Sequence, residues 1–246
     1  MSTSTESHSS SRLALVEWAA RMGAITAEAL AVREGCTIAS ARARLLFVVR
    51  AGLLARERPL ANWPALFTVT RAGLSAVALR GMPPGRVSAA NARHSIVCAA
   101  VAAALEDAYP DRRVMGEREL RREESEQAQA LASASLGLGG TGSPLLHRPD
   151  LVLWPTSADR TLPVAVEVEL TVKAPRRLIA ICRAWARCRS VAGVLYLTTP
   201  EVRGPLARAI RAAAAERAIT QLPVDSLAGV SCGDPTSRER TIPERP

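Results

Sequence analysis

Two short apolar runs, 149–154 and 163–172, constrain this chain more than any other part of it. The second contains Val164-Ala165-Val166-Glu167-Val168-Glu169-Leu170-Thr171-Val172, followed by Lys173. A strand sends successive side chains to opposite faces. Glu167, Glu169, Thr171 and Lys173 therefore share one face, and Val166, Val168, Leu170 and Val172 the other. The first run, Pro149-Asp150-Leu151-Val152-Leu153-Trp154, predicts a neighbouring strand whose start brings Asp150 close to Glu167. Two glutamates two apart on one strand repel each other. On a central strand covered by helices, that repulsion calls for a cation, and oxygen-only ligands select Mg2+ or Mn2+ over zinc. On an edge strand the same glutamates would face water, and the Val/Leu face alone accounts for the strand. Glu117 and Glu119 repeat the alternation in a run over 113–120 that also reads as a strand. They either join the acidic pocket or show that spaced glutamates need no metal.

Asp150, Glu167 and Glu169 around a divalent ion would activate water against a phosphodiester. Lys173, the single lysine of the chain, lies on the same predicted face. At about 3.3 Å per residue its Cα sits roughly 13 Å from that of Glu169, a gap that its long side chain shortens.

The flanking pattern predicts the architecture. An Ala-rich helix over 92–108 precedes the strand at 113–120. A polar, glycine-rich excursion over 121–146 follows. It lacks the Gly-Lys-Ser/Thr ending of a phosphate loop and reads as a flexible hairpin. After the two central strands come a basic helix (175–189), an apolar strand (191–199), a helix (200–217) and a short strand (219–222). This order is an α/β layer over 92–228, with a mixed sheet flanked by helices. Arg176, Arg177, Arg183, Arg187 and Arg189 on the basic helix suit a phosphate backbone or a plain solvent face. His94 and His147 read as structural, and no Ser-His-Asp or Cys-His pattern stands out.

Residues 11–80 follow a different plan. Helical spacing runs over 11–23, Thr26 caps a second helix through Glu34, Gly35 ends it, and Thr37 caps a third to about Arg50. Two strand-like runs, 53–56 and 66–70, enclose a polar loop. Three helices and a two-stranded wing are the winged helix-turn-helix plan. Ile38, Ala41, Leu45 and Val48 form the inward face of the third helix. Ser40, Arg44 and Phe47 point out, with Arg42 at the border, and arginine on that helix suits the major groove. Arg56 and Arg58 on the wing suit phosphates. Ten arginines against four glutamates give 10–80 a net +6 of the chain's +9. The alternative is a winged helix used for protein contact, with Phe47 at a homodimer seam. Residues 81–91, with Pro83, Pro84, Gly81 and Gly85, read as a linker. Residues 1–10 and 229–246 read as disordered tails.

Composition narrows the partners. The basic balance favours a polyanion, although arginine with almost no lysine also reflects G+C-rich coding. No apolar run reaches the roughly 20 residues that span a bilayer, and the first ten residues carry no apolar stretch of a secretory signal. A cytoplasmic address without membrane association is expected. Cys36, Cys98, Cys182, Cys188 and Cys232 form no CxxC pair and read as reduced, mostly buried thiols.

Pro149-Asp150 followed by Glu167-Val168-Glu169 on the next strand resembles the Pro-Asp…(Asp/Glu)-X-Lys signature of the restriction-endonuclease-like, PD-(D/E)XK nuclease superfamily. With the winged helix in front, residues 10–225 resemble the replication-relaxation family of bacterial plasmids and mobile elements. The resemblance implies a protein that binds double-stranded DNA and acts on its backbone during plasmid replication or transfer. It implies Asp150, Glu167 and Glu169 as metal ligands, Lys173 as the catalytic lysine, and Glu106 on the preceding helix as an accessory acid. The superfamily's lysine position holds Glu169. That departure supports the alternative, a transcription or copy-control regulator whose degenerate nuclease fold serves dimerisation or DNA binding.

Overall fold

The computed structural model describes residues 3–140, 142–156, 161–227 and 230. The tail read as disordered, Val230 apart, and Cys232 lie outside them. Three helices open the chain: α1 (Thr3–Met22), α2 (Ala27–Glu34) and α3 (Ile38–Arg50). α1 begins inside the Ser/Thr-rich segment expected to be disordered. α2 and α3 begin where the caps predict. Thr26 Oγ1 accepts from the Ala29 amide at 3.0 Å, and Thr37 Oγ1 from the Ser40 amide at 3.2 Å, satisfying first-turn amides that have no helical partner. Gly35 ends α2 at φ 60°, where a Cβ would be penalised. Strands β1 (Leu54–Glu57) and β2 (Leu66–Val69) pair antiparallel, and α4 (Arg71–Ala76) follows. Ala41, Leu45 and Val48 are buried as expected of the inward face, but Ile38 is 44% exposed. It is the first residue of α3, at the very end of that stripe.

Residues 81–88 contain no helix or strand, as a linker should, yet they are packed. A Cβ at Gly85 would lie 2.7 Å from Thr68 Cβ and 2.8 Å from the Gly23 carbonyl oxygen. Arg118 donates to the Pro83 carbonyl. α5 (Ala89–Ala108) then starts with the Ser88 amide donating to Asn91 Oδ1 at 2.7 Å. This helix is apolar on most sides, as expected of one buried between layers. Ala99 and Ala103 join the core of α1–α4, with α2 lying along α5, while Val97, Val101, Ala102 and Leu105 join the core of the sheet. The linker therefore connects two parts that α5 joins, with a side of the helix in the core of each.

The rest is mixed α/β. In chain order come β3 (Arg112–Gly116), α6 (Glu117–Gln127), β4 (Ala134–Leu138), β5 (Pro144–His147), β6 (Leu151–Pro155), β7 (Val164–Glu169), α7 (Pro175–Arg187), β8 (Gly193–Thr198), α8 (Pro200–Ala212) and β9 (Ile219–Pro223). Five strands form one sheet in the order β3-β6-β7-β8-β9, antiparallel from β3 to β7 and parallel from β7 to β9. The side chains of α5 pack on one face, and those of α7 and α8 on the other.

Two expectations fail locally. The strand over 113–120 ends at Gly116, and Glu117 and Glu119 lie in the first turn of α6. Acidic side chains are favourable at a helix N-terminus, and Arg121–Glu117 and Arg122–Glu126 add pairs at i,i+4. Tertiary contact completes the choice, because the Leu120 side chain is buried in the core between the sheet and α7 and α8. The strand over 163–172 ends at Glu169, so Thr171 and Lys173 do not continue its face. The chain must turn there to enter α7, which Pro175 opens at a position that needs no amide donor. The 121–146 excursion is mostly ordered, as α6 and the antiparallel β4–β5 hairpin. No helix among the described residues is long and apolar enough to cross a membrane.

Candidate functional site

β7 is the central strand of the five, and α5 and α7 cover its two faces. The alternation seen in the sequence sends Val166 and Val168 towards α5 and Ala165 towards α7. Glu167, on the same face as Ala165, is left at 5% exposure. The edge-strand alternative is thereby excluded for this pair. The Glu167 charge is met by polar partners. Its Oε1 accepts from Trp185 Nε1 at 3.1 Å and lies 2.7 Å from His147 Nε2. The His147 and Trp185 rings meet edge to face at 5.8 Å. Burial pushes the Glu167 carboxyl above the usual range, His147 offsets part of this, and the Asp150 charge adds to the rise.

Glu169 ends the strand, buried, and pairs with Lys173, which folds back from beyond β7. Burial lowers the Lys173 pKa, against the pull of Glu167 and Asp150. Asp150 stands just before β6. Its Oδ2 accepts from the Val168 amide at 2.7 Å, and its Oδ1 lies 3.3 Å from His94 Nε2. The same nitrogen is 3.1 Å from the Val168 carbonyl oxygen. Burial works against a charge on His94, but hydrogen bonds to Asp150 and Cys98, with their charges, outweigh it and push the pKa up to about 11. Burial, ahead of the Asp150 charge, pushes the Cys98 thiol up to about 11.

Asp150, Glu167, Glu169 and Lys173 line one cavity of 370 Å³, together with His94 and His147. The four residues singled out from the sequence thus meet in one place. The carboxylates do not close on one point, however. Among the described residues, one set of three His, Cys, Asp or Glu side chains has ligand atoms mutually within 4.8 Å, and it is His94, Cys98 and Asp150. An ion with oxygens at about 2.0–2.1 Å, as around Mg2+, needs its ligands closer to one another than that limit. As placed, Asp150, Glu167 and Glu169 do not fit a single Mg2+ or Mn2+.

Compared with known protein families, with curated proteins and with solved structures, the chain matches none.

Glu106 lies outside this cavity. It pairs with Arg33 and ties α5 to α2. Ser40 gives its amide to the α3 cap. Arg44 pairs with Glu34 and donates to Ser11 Oγ at 3.0 Å, and Arg42 lies 3.7 Å from Glu28. Arg56 and Arg58 are exposed and enter no ion pair among the described residues. Phe47 points outward as expected, with the Arg12 guanidinium 5.1 Å from its ring centroid. Cys36, Cys98, Cys182 and Cys188 are free thiols, of which Cys182 is fully buried. The sequence reading missed His94 with Cys98 and the role of His147. A signal was available for the first: the two are four apart on a predicted helix, hence on one face.

Proposed function

We propose that the chain is a duplex-DNA-binding protein of the replication-relaxation kind. The three helices and hairpin of α1–β2 act as a winged helix, and the five-stranded part as a restriction-endonuclease-like domain. One observation carries this reading. Residues 175–217 hold nine arginines against two glutamates. All nine are exposed, and none enters an ion pair among the described residues. α7 and α8, which carry most of them, pack side by side on one face of the sheet. By contrast Arg21, Arg33, Arg42 and Arg44 of the N-terminal helices each have a glutamate partner. Unpaired arginines on adjacent helices are free to replace the counterions of a phosphate backbone. Lys173 lies two residues before α7, so this surface adjoins the carboxylate cavity.

The test is fluorescence anisotropy of a labelled short duplex across a salt series. Affinity falls steeply with salt, and Arg183→Glu combined with Arg187→Glu weakens binding by about tenfold or more at moderate salt. Arg42→Ala with Arg44→Ala also weakens it, by less, because those side chains must first leave their glutamates. Unchanged affinity in the α7 double variant would overturn the reading.

A second reading adds phosphodiester cleavage, and the return of Lys173 to Glu169 favours it. The superfamily lysine position is occupied by glutamate, yet an ammonium group reaches that place from four residues on. Plasmid nicking, assayed with and without added divalent cation, that disappears in Lys173→Met supports it. Binding without nicking leaves the regulator.

A further inference from the structure

The set of side chains that draws most closely together is not made of oxygen alone. His94 and Cys98 stand one turn apart on α5, and Asp150 approaches from the residue before β6. Cys98 Sγ lies 3.6 Å from His94 Nδ1 and 3.7 Å from its Nε2, beside the ring and in line with neither nitrogen, and Nε2 lies 3.3 Å from Asp150 Oδ1. A tetrahedral zinc site, with Zn–S about 2.3 Å and Zn–N and Zn–O about 2.0–2.1 Å, has ligand-to-ligand edges of about 3.5 Å and 3.4 Å. The nitrogen-to-oxygen separation is close to the second edge, and metal binding requires the His94 or Cys98 side chain to turn so that sulfur and nitrogen face one ion. Asp150 is also oriented from behind, because the Val168 amide holds Oδ2 at 2.7 Å and leaves Oδ1 turned towards the imidazole. Such outer hydrogen bonds fix metal-ligating carboxylates.

We infer that His94, Cys98 and Asp150 form a three-ligand site for a borderline-soft divalent ion of the zinc class. Thiolate and imidazole select zinc or cobalt and disfavour magnesium. The ion takes the place of the ring proton now shared between Asp150 and the Val168 carbonyl, and the Cys98 thiol gives up its proton on binding. A fourth position opens on a cavity of 380 Å³ that Glu117, Arg86 and Arg118 also line. Three protein ligands and one open position leave room for a water or an anionic ligand. The site goes beyond the DNA-binding reading and does not depend on it.

Cobalt(II) is the probe, titrated into the full chain after chelator treatment. The expected result is one equivalent bound, with a near-ultraviolet thiolate-to-cobalt band and visible bands of tetrahedral intensity, all removed by added Zn2+. Cys98→Ser abolishes the thiolate band. Asp150→Asn and His94→Gln weaken cobalt binding at least tenfold. Cys36→Ser, a free thiol outside the set, leaves the titration unchanged, and circular dichroism melts check that each variant is folded. Absence of a thiolate band in the wild-type chain, or its survival in Cys98→Ser, would overturn the inference. The cobalt spectrum with no duplex binding would remove the DNA reading and keep this site; duplex binding with no spectrum would do the reverse.

Discussion

Glu167 shows how one side chain sets both the problem and the chemistry of the cavity. Its burial on β7 disfavours the charged form, while Trp185 and His147 bond the carboxylate. The net direction is a raised pKa, with burial the largest cause. A carboxyl whose folded pKa is raised binds its proton more tightly in the native than in the unfolded state. Its contribution is most favourable below the unfolded value of about 4.3, and stability falls as pH rises from there through the folded pKa. Glu167→Gln removes this titration and keeps an acceptor for Trp185. Denaturant melts from acid to neutral pH will show a flatter stability profile for the variant, with its advantage over the wild type largest at the upper end. Parallel profiles would mean that Glu167 titrates alike in both states.

At the scale of elements, α6 is where local chemistry defeats a strand pattern. Glu117 is half-buried and makes an i,i+4 pair with Arg121, whereas Glu119 is buried and met by both Arg21 of α1 and Arg113 of β3. Removing the buried acid strips charge-assisted bonds from two elements at once. Glu119→Ala is expected to cost about 2 kcal/mol, with the partly exposed arginines limiting the loss by turning to water. Glu117→Ala should change stability by about 0.5 kcal/mol or less. Urea melts of the two variants decide this, and equal effects would contradict the role assigned to Glu119. The β4–β5 hairpin behaves differently. Its body is anchored, since Arg148 donates to Glu124 at 2.9 Å and the same carboxylate accepts from the Leu131 amide at 3.0 Å. Its glycine-rich tip is exposed, and Leu138 there is 74% accessible.

For the whole molecule, the segment 81–88 matters most. A proline- and glycine-rich stretch ordinarily marks a flexible boundary. Here Gly85 touches the backbone of Gly23, and α5 carries one core on each side. Limited proteolysis of the native chain should therefore cut first at the hairpin tip, around 137–143, and spare 81–88. Early cleavage at 81–88 would show that the two parts move independently. Gly85→Ala should lower the thermal midpoint by several degrees, corresponding to about 1–3 kcal/mol, because neighbouring backbone must give way to the new methyl group. An unchanged midpoint would show that the contact is loose.

Much of this was legible in the chain because it depends on near neighbours. Thr26, Thr37 and Gly35 mark helix ends through bonds that span three or four residues. The alternation of Val with Glu167 and Glu169 gives the two faces of β7, because the strand period holds whatever packs against it. Asp150 before β6 follows from the same pairing of adjacent strands. What tertiary structure alone decided depends on partners distant in sequence. Whether Glu167 faced water or an interior was settled by β8 pairing on one side of β7 and β6 on the other, with α7 above. Lys173 was brought to Glu169 by a turn that strand spacing could not foresee. Glu106 was claimed by Arg33, 73 residues away, while the same helix brings His94 to Asp150. Arginines on α3 and α7 look alike in sequence. Only packing gave Arg42 and Arg44 of α3 glutamate partners and left the α7 arginines to solvent.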